Sequence, residues 1–191
     1  MSRIFVLFLF LFTSAFSRDV DEFPFIGVNI SIHDMTIASV KDDPTFSTFG
    51  IRYGRQTVDW RTMLTYSMGN DYDSFSLEVD MFLLDKLFGT STFRPYLGLS
   101  AGTLKYNNKE LKKVLEDKAK ADRLKNKTKN SENNTTIDVD TSGYYYGLNV
   151  GLTIYATDNI DADVGYYYNF VEDFVNVDHT QGVNFSLHYF Y

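Results

Sequence analysis

Seven charged side chains interrupt the apolar runs of this sequence at positions that alternate with hydrophobic residues. Three are bases and four are acids, and they are Arg52, Arg61, Glu78, Asp80, Arg94, Asp161 and Asp163. Neighbouring side chains of a β-strand point to opposite faces, so these charges share one face and the apolar residues share the other. Opposite charges enclosed together are expected to pair, because an isolated buried charge is costly to desolvate. The pattern predicts a salt-bridged polar interior, and the alternative is a narrow path for ions.

Two further groups of residues contain side-chain types that act as catalytic residues in enzymes. His33 ends one apolar run, and Asp73 and Ser74 open another, so a base, an acid and a hydroxyl are expected at one rim of the fold. His188 shares a strand face with Ser186, but both are expected near the opposite rim. Neither group forms a catalytic sequence signature. The sequence therefore predicts no catalytic residue, no cofactor and no metal site.

The residues above lie in eight runs that alternate between apolar and polar positions. The runs cover residues 24–33, 46–56, 59–68, 74–84, 93–106, 144–155, 160–169 and 182–191. Ten strand residues tilted by about 40° rise roughly 25 Å, which is the height of the apolar band of a membrane barrel. The prediction is an all-β fold, an eight-stranded antiparallel transmembrane β-barrel. The first strand, around 26–32, is expected to close the barrel by pairing with the last, around 183–189.

The connections between these runs are expected to alternate between short turns and longer loops. Residues 57–58, 85–92 and 156–159 are the shorter ones, residues 34–45, 107–143 and 170–181 the longer ones, and 69–73 is a compact turn on the long side. Segment 107–140 holds nine Lys/Arg and seven Asp/Glu. It is predicted to be a long extracellular loop that is partly helical, over 109–125, or disordered. It either contacts an extracellular ligand or is a solvated insertion.

The first 17 residues read as a signal peptide for export. Arg3 supplies the positive start, residues 4–12 an apolar run that is too short to span a membrane as a helix, and Ala15 and Ser17 the small residues before a cleavage site. Residues 18–191 are then the barrel domain. The absence of cysteine argues against a lipoprotein and excludes disulfides, and the net charge of −7 argues against a nucleic-acid partner.

The C-terminal run ends in an aromatic residue and has apolar residues at alternate positions. They are Val183, Phe185, Leu187, Tyr189 and Tyr191. This ending resembles the terminal strand of bacterial outer-membrane β-barrels, which is the signal that the barrel-assembly machinery reads. With the eight runs, the chain resembles the small outer-membrane β-barrel domain family of the OmpA/OmpX type. The resemblance implies export to the outer membrane of a Gram-negative bacterium, contact with its lipid and lipopolysaccharide, and contact with the assembly machinery.

Three functions are compatible with this resemblance. The first is a structural or adhesive surface barrel whose lumen is closed by internal salt bridges, because the lumen of an eight-stranded barrel is narrow enough for side chains to fill. The second is a minor porin or small-solute channel. The third is a lipid A-modifying enzyme, since the residues at the outer rim are similar in kind to those of outer-membrane palmitoyltransferases. Residues 18–23 form no amphipathic helix, however, and no proline marks a gap for an acyl chain, so a non-enzyme is expected.

Overall fold

The structure, a computed structural model, describes residues 22–37, 44–84, 87, 89–106, 142–173 and 177–191. The predicted signal peptide and the predicted loop 107–140 lie outside these residues. Within the described ranges, no helix is long and apolar enough to cross a membrane.

Eight antiparallel strands form one closed sheet, in which each strand pairs with its neighbours in sequence and the last pairs with the first. The strands are β1 (Phe23–Ile37), β2 (Thr45–Gln56), β3 (Trp60–Met68), β4 (Tyr72–Phe82), β5 (Phe93–Tyr106), β6 (Ser142–Tyr155), β7 (Ile160–Glu172) and β8 (Val177–Phe190). The closing pair has the predicted register, with Ile26 opposite Tyr189 and Ile32 opposite Val183. The predicted eight-stranded antiparallel barrel is confirmed.

The two faces of the sheet have the reverse of the polarity found in most globular proteins. Ile26 and Ile30 of β1 point outward and are each about half exposed, whereas Asn29, Ser31 and His33 of the same strand point inward and are buried. Single exposed apolar residues are ordinary on a soluble surface, but a continuous apolar exterior around a polar interior is not. The alternation in the sequence therefore predicted the two faces correctly.

The two ends of the barrel also differ. One end, called the terminal end here, carries Phe23, Tyr191 and the connections 57–59, 83–92 and 156–159. Backbone hydrogen bonds stabilise the turns at this end, such as the bond from Thr57 N to Trp60 O at 2.7 Å. The opposite end, called the loop end, carries the connections 38–44, 69–71, 107–141 and 173–176. Both chain termini of the barrel therefore lie on one side, as an even number of strands requires.

The strands extend further toward the loop end than the sequence pattern predicted. Residues 170–181 were expected to form a long loop, but β7 continues to Glu172, β8 begins at Val177, and Phe170 pairs with His179. In the same way, β1 extends through Ile37 into the predicted loop 34–45. Apart from Phe170, the exposed residues of the β7 and β8 extensions are polar, as at Glu172 and Asp178. The alternation of apolar and polar residues that defined the runs therefore stops before the strands do. The connection between β7 and β8 is therefore only residues 173–176, so the long loop that was predicted here is wrong.

A register shift accompanies these extensions. Between Thr36 and Ile37 the pairing of β1 with β8 slips by one residue, so that Ile37 pairs with Val177. Such a bulge inserts a residue that has no partner across the ladder and re-aims the side chains that follow it. Here Val177 and Thr180, which lie three apart on β8, are both buried inside the barrel.

Candidate functional site: the barrel interior

The structure places all seven charged residues of the predicted polar interior inside the barrel, and Arg61 is at the centre of the largest group. Its Nη2 and Nε lie 2.8 and 3.1 Å from Asp80 Oδ2 on the neighbouring strand. Its Nη1 lies 2.7 Å from Asp163 Oδ2 on β7, across the interior. All three side chains are fully buried. We call Arg61, Asp80, Asp161, Asp163 and His188 the ionic layer.

Neutral donors support the carboxylates of this layer. Asn149 donates from Nδ2 to Asp80 Oδ1 at 2.6 Å, and Thr153 donates from Oγ1 to Asp163 Oδ1 at 2.7 Å. Gly98 lies beside Asp80 and Asn149, and a Cβ at this position would collide with both side chains. The absence of a side chain at Gly98 therefore makes room for the amide and the carboxylate to meet.

His188 and Asp161 complete the ionic layer, with His188 Nδ1 2.7 Å from Asp161 Oδ1 and 3.8 Å from Asp163 Oδ2. The alternation in the sequence assigned His188 to the polar face of the last strand, but His188 was not predicted to belong to the interior group. The sequence signal that could have assigned His188 to the interior is its position between Leu187 and Tyr189. Both of these residues point outward, so His188 shares the inward face with Ser186.

Arg52 and Glu78 form a second, looser pair next to the ionic layer. Their closest atoms, Arg52 Nη2 and Glu78 Oε2, are 3.8 Å apart, and Glu78 is partly exposed to the interior cavity. Arg52 Nη1 also donates to Ser186 Oγ at 2.7 Å. Glu78 Oε1 accepts from the hydroxyls of Thr65 and Ser76 at 3.2 Å each. This pair therefore depends as much on hydroxyl groups as on charge.

Arg94, the last of the seven, lies over the ring of Phe82 at 4.5 Å and donates from Nε to the Leu84 carbonyl at 3.4 Å. Arg61 similarly lies 5.0 Å from the ring centre of Tyr96, which is almost fully buried. A guanidinium over an aromatic face is stabilised by the ring quadrupole. Neither ring was predicted from the sequence to be part of the site.

A polar cavity lies between the ionic layer and the loop end, with about 50 Å³ of space for water. Serine, threonine and asparagine predominate in its lining, which includes Asn29, Ser31, Thr65, Ser67, Ser74, Ser76, Ser100, Asn149, Asn169 and Asn184. At its loop end, His33 is 2.7 Å from Thr48 Oγ1 through Nε2 and contacts the Tyr167 hydroxyl through Nδ1. A space of this size holds a few water molecules.

Clusters of buried apolar side chains lie at both ends of the interior. Phe25, Met63 and Phe190 form a buried cluster at the terminal end. The larger loop-end cluster consists of Met35, Tyr72, Leu104, Tyr106, Tyr145, Val171 and Val177, with Phe46 packed against it. The loop-end cluster was not predicted from the sequence. Leu104 and Tyr106 lie at alternate positions from Arg94 on β5, so the alternation alone could have assigned them to the inward face. Val177 points inward only because of the bulge, which the sequence pattern does not show.

The residues considered for catalysis are not assembled into a catalytic group. His33 and Ser74 both line the cavity, but Asp73 lies on the outer surface of β4, beside Phe75. Both ring nitrogens of His33 contact hydroxyl groups. At the other end, Ser186 accepts from Arg52, and His188 pairs with Asp161. Among the described residues, neither of the two groups considered for catalysis therefore pairs a nucleophile with a base by a hydrogen bond.

The predicted assembly residues of β8 form an outward apolar row. Val183, Phe185, Leu187 and Tyr189 are each about half exposed. Tyr191 lies just beyond the end of the strand, and its backbone N–H donates to the Pro24 carbonyl at 3.3 Å. The terminal aromatic residue therefore lies at the edge where the last strand meets the first.

No protein-family model and no curated protein matches this sequence. Solved structures do resemble it. Neisserial surface protein A (NspA) is 16% identical, with a TM-score of 0.56 over 88% of this chain and 97% of that chain. Outer membrane protein H (OprH) from P. aeruginosa is also 16% identical, with a TM-score of 0.52 over 88% and 99%. At this identity the likeness shows the fold, and the chain has the closed eight-stranded barrel of small outer-membrane proteins.

Proposed function

We propose that this chain is an outer-membrane barrel with a closed lumen, and that it serves as a structural scaffold or adhesive surface protein. The observation that carries the proposal is the filled interior. An apolar cluster lies at each end, an ion pair crosses the barrel between them, and the polar cavity beside this pair has about 50 Å³ of space for water. A barrel filled in this way presents its outer surface and loops as the functional parts.

The outward face supports placement in a bilayer. Apolar side chains cover the middle of every strand, and aromatic residues are concentrated near both ends, with Trp60 and Tyr189 at the terminal end and Tyr144, Tyr146 and Phe170 at the loop end. Aromatic girdles of this kind mark the two interfaces of membrane barrels. We place the terminal end in the periplasm and the loop end outside the cell, in contact with lipopolysaccharide.

The filled interior argues against a solute channel, and conductance tests this directly. Purified barrel incorporated into planar bilayers should give no stable single-channel currents under conditions in which a general porin does. Replacing Glu78 and Asp80 together by Gln and Asn removes two acidic partners of Arg52 and Arg61, and should produce brief openings. Stable wild-type currents that this double variant leaves unchanged would mean that the interior is an open pore.

The segment 107–140 is the proposed contact for an extracellular ligand, because it connects β5 to β6 at the loop end. Replacing residues 109–136 by a short Gly/Ser linker should leave the heat-modifiable barrel intact and reduce attachment of whole cells to host-cell or matrix surfaces. A matched variant would replace the same residues by a scrambled sequence of equal composition. Unchanged attachment in the linker variant would contradict the adhesive role, and only the structural role would then remain.

The outward row of β8 is the proposed signal for the barrel-assembly machinery. Tyr191→Asp should reduce the amount of folded protein in the outer membrane, whereas Tyr191→Phe, which keeps the aromatic ring, should not. Phe23→Asp places the same charge at an outward aromatic position of the first strand and controls for a general effect on the interface. Equal membrane levels for Tyr191→Asp and wild type would contradict this role.

A further inference from the structure

Asp161, Asp163 and His188 place three potential metal ligands at one point of the barrel wall. The two aspartates lie two residues apart on the inward face of β7, and His188 of β8 pairs directly with Asp161. One donor atom from each side chain, two carboxylate oxygens and an imidazole nitrogen, lies within 4.8 Å of the other two. All three side chains are at least 99% buried. We call these residues the acid–histidine group.

The charges around this group do not balance. Arg52 and Arg61 face four carboxylates, those of Glu78, Asp80, Asp161 and Asp163, and counting Arg94 still leaves more acids than bases. An uncompensated negative charge is costly to hold in a buried site, so the excess favours uptake of a cation or a proton. Asp161 Oδ2 is buried and has no hydrogen-bond partner among the described residues, so this carboxylate keeps a free acceptor.

We propose that the acid–histidine group binds a divalent transition-metal ion of the Zn²⁺ class. Carboxylate oxygens and imidazole nitrogens are ordinary ligands of such ions, while an imidazole in the set disfavours Ca²⁺ and Mg²⁺. Two ligands at about 2.1 Å from a tetrahedral ion are about 3.4 Å apart. The distances from His188 Nδ1 to Asp161 Oδ1 and Asp163 Oδ2, 2.7 and 3.8 Å, bracket that value.

Arg61 is compatible with this site. It contacts Asp163 Oδ2 through Nη1, but its Nε and Nη2 remain bound to Asp80, so its charge is shared between two acids. The ion would join β7 to β8, next to the strand pair that closes the barrel. Its role would be to fix the position of the last strand, and this holds whether or not the protein is adhesive.

The test uses the full barrel without a histidine tag, refolded in detergent with and without Co²⁺ or Zn²⁺. The ion is supplied during refolding, since apolar clusters close both ends of the folded interior. The expected result is one Co²⁺ per chain, with visible d–d absorption bands of a site that contains nitrogen and oxygen ligands. Zn²⁺ supplied together with Co²⁺ during refolding should compete for the site and weaken the Co²⁺ bands, and protein refolded with Zn²⁺ should have a higher unfolding midpoint than protein refolded with a chelator.

Variants identify the ligands. Asp161→Asn and His188→Gln should each weaken Co²⁺ binding by more than about 100-fold, since even indirect partners of metal ligands change affinity by about 10- to 100-fold. The other two histidines of the chain provide matched controls: His33→Gln, in the cavity, and His179→Gln, on the outward face of β8, should bind as wild type does.

Three results would overturn the proposal. The first is wild-type protein that refolds fully with Co²⁺ present yet shows no d–d bands and no shift of its unfolding midpoint, which would mean that the group holds a proton only. The second is equal Co²⁺ binding by wild type and Asp161→Asn. The third is loss of binding in His33→Gln or His179→Gln with retention in His188→Gln, which would place the ion elsewhere. If His188→Gln fails to refold, the wild-type spectrum and Asp161→Asn still decide the question.

Discussion

The ionic layer and the polar cavity, two neighbouring parts of one barrel interior, satisfy their polar groups in different ways. In the ionic layer, Arg61 reaches two carboxylates at 2.8 and 2.7 Å, and all of these side chains are fully buried. In the cavity, neutral hydroxyls and amides predominate, and about 50 Å³ is left for water. A desolvated charge needs a partner of opposite charge, whereas a hydroxyl can use water. Substitutions should therefore be costly in the first region and mild in the second.

Arg61→Ala should have the largest effect, because it leaves Asp80 and Asp163 buried without their shared cation. Removing one partner of a buried ion pair costs about 3 to 5 kcal/mol, measured here as a lower free energy of unfolding in detergent. Arg55→Ala is the matched control, since Arg55 forms an exposed pair with Glu22 at 2.8 Å. Exposed ion pairs contribute little to stability, so this variant should unfold with nearly the wild-type free energy. Similar losses in the two variants would mean that the ionic layer is hydrated.

Met35→Ala tests the packing of the apolar cluster at the loop end. Met35 is fully buried in that cluster, so its truncation should cost about 2 to 3 kcal/mol, in the lower part of the range for buried methionine. Met68→Ala, on the outward face at the same end, should cost less than half as much, because Met68 is 41% exposed whereas Met35 is fully buried. Unfolding by urea in detergent measures both. A cost for Met35→Ala no greater than that for Met68→Ala would indicate that the cluster does not pack as a core.

The smallest effects compare one hydroxyl in each region. Thr153→Val removes a 2.7 Å hydrogen bond to Asp163, and a hydrogen bond to a charged group contributes about 1.5 to 3 kcal/mol. Ser100→Ala removes a 2.9 Å bond to Asn169 beside the cavity, where water can replace the hydroxyl, and should cost about 0.5 to 1 kcal/mol. The same unfolding measurement applies to both. The opposite order of costs would reverse the proposed contrast between the two regions.

Much of the fold could be predicted from the sequence because its signal is local. Alternation with period two identifies a strand and divides its residues between two faces without knowledge of any partner. This is why β5 was predicted at residues 93–106 and β3 within one residue of its observed start. The same signal failed at the loop end of β7 and β8. There Val171 and Val177 point inward, so the apolar residues no longer mark the outward face.

Less of the candidate site could be predicted from the sequence. Alternation assigns a residue to the inward face, but it does not tell which residues of other strands that residue contacts. Alternation assigned Arg61, Asp80 and Asp163 to the interior, and the pairing of β3 with β4 places Arg61 opposite Asp80. Asp163 lies on β7, three strands beyond the β4 strand that carries Asp80, and it meets Arg61 only across the lumen. His188 joins Asp161 through the pairing of β7 with β8. The apolar clusters likewise combine residues from strands that are distant in the sequence.

The sequence by itself determined the number of strands, their faces, the closing pair and the excess of acids over bases on the inward face. Only the tertiary structure decided that Arg61 lies between Asp80 and Asp163, that Asp161, Asp163 and His188 meet, and that apolar side chains cluster at both ends. The physical reason is that the alternation of side chains is set by the backbone of one strand. The height of a side chain in the lumen and its neighbours across it depend on the tilt and stagger of all eight strands together.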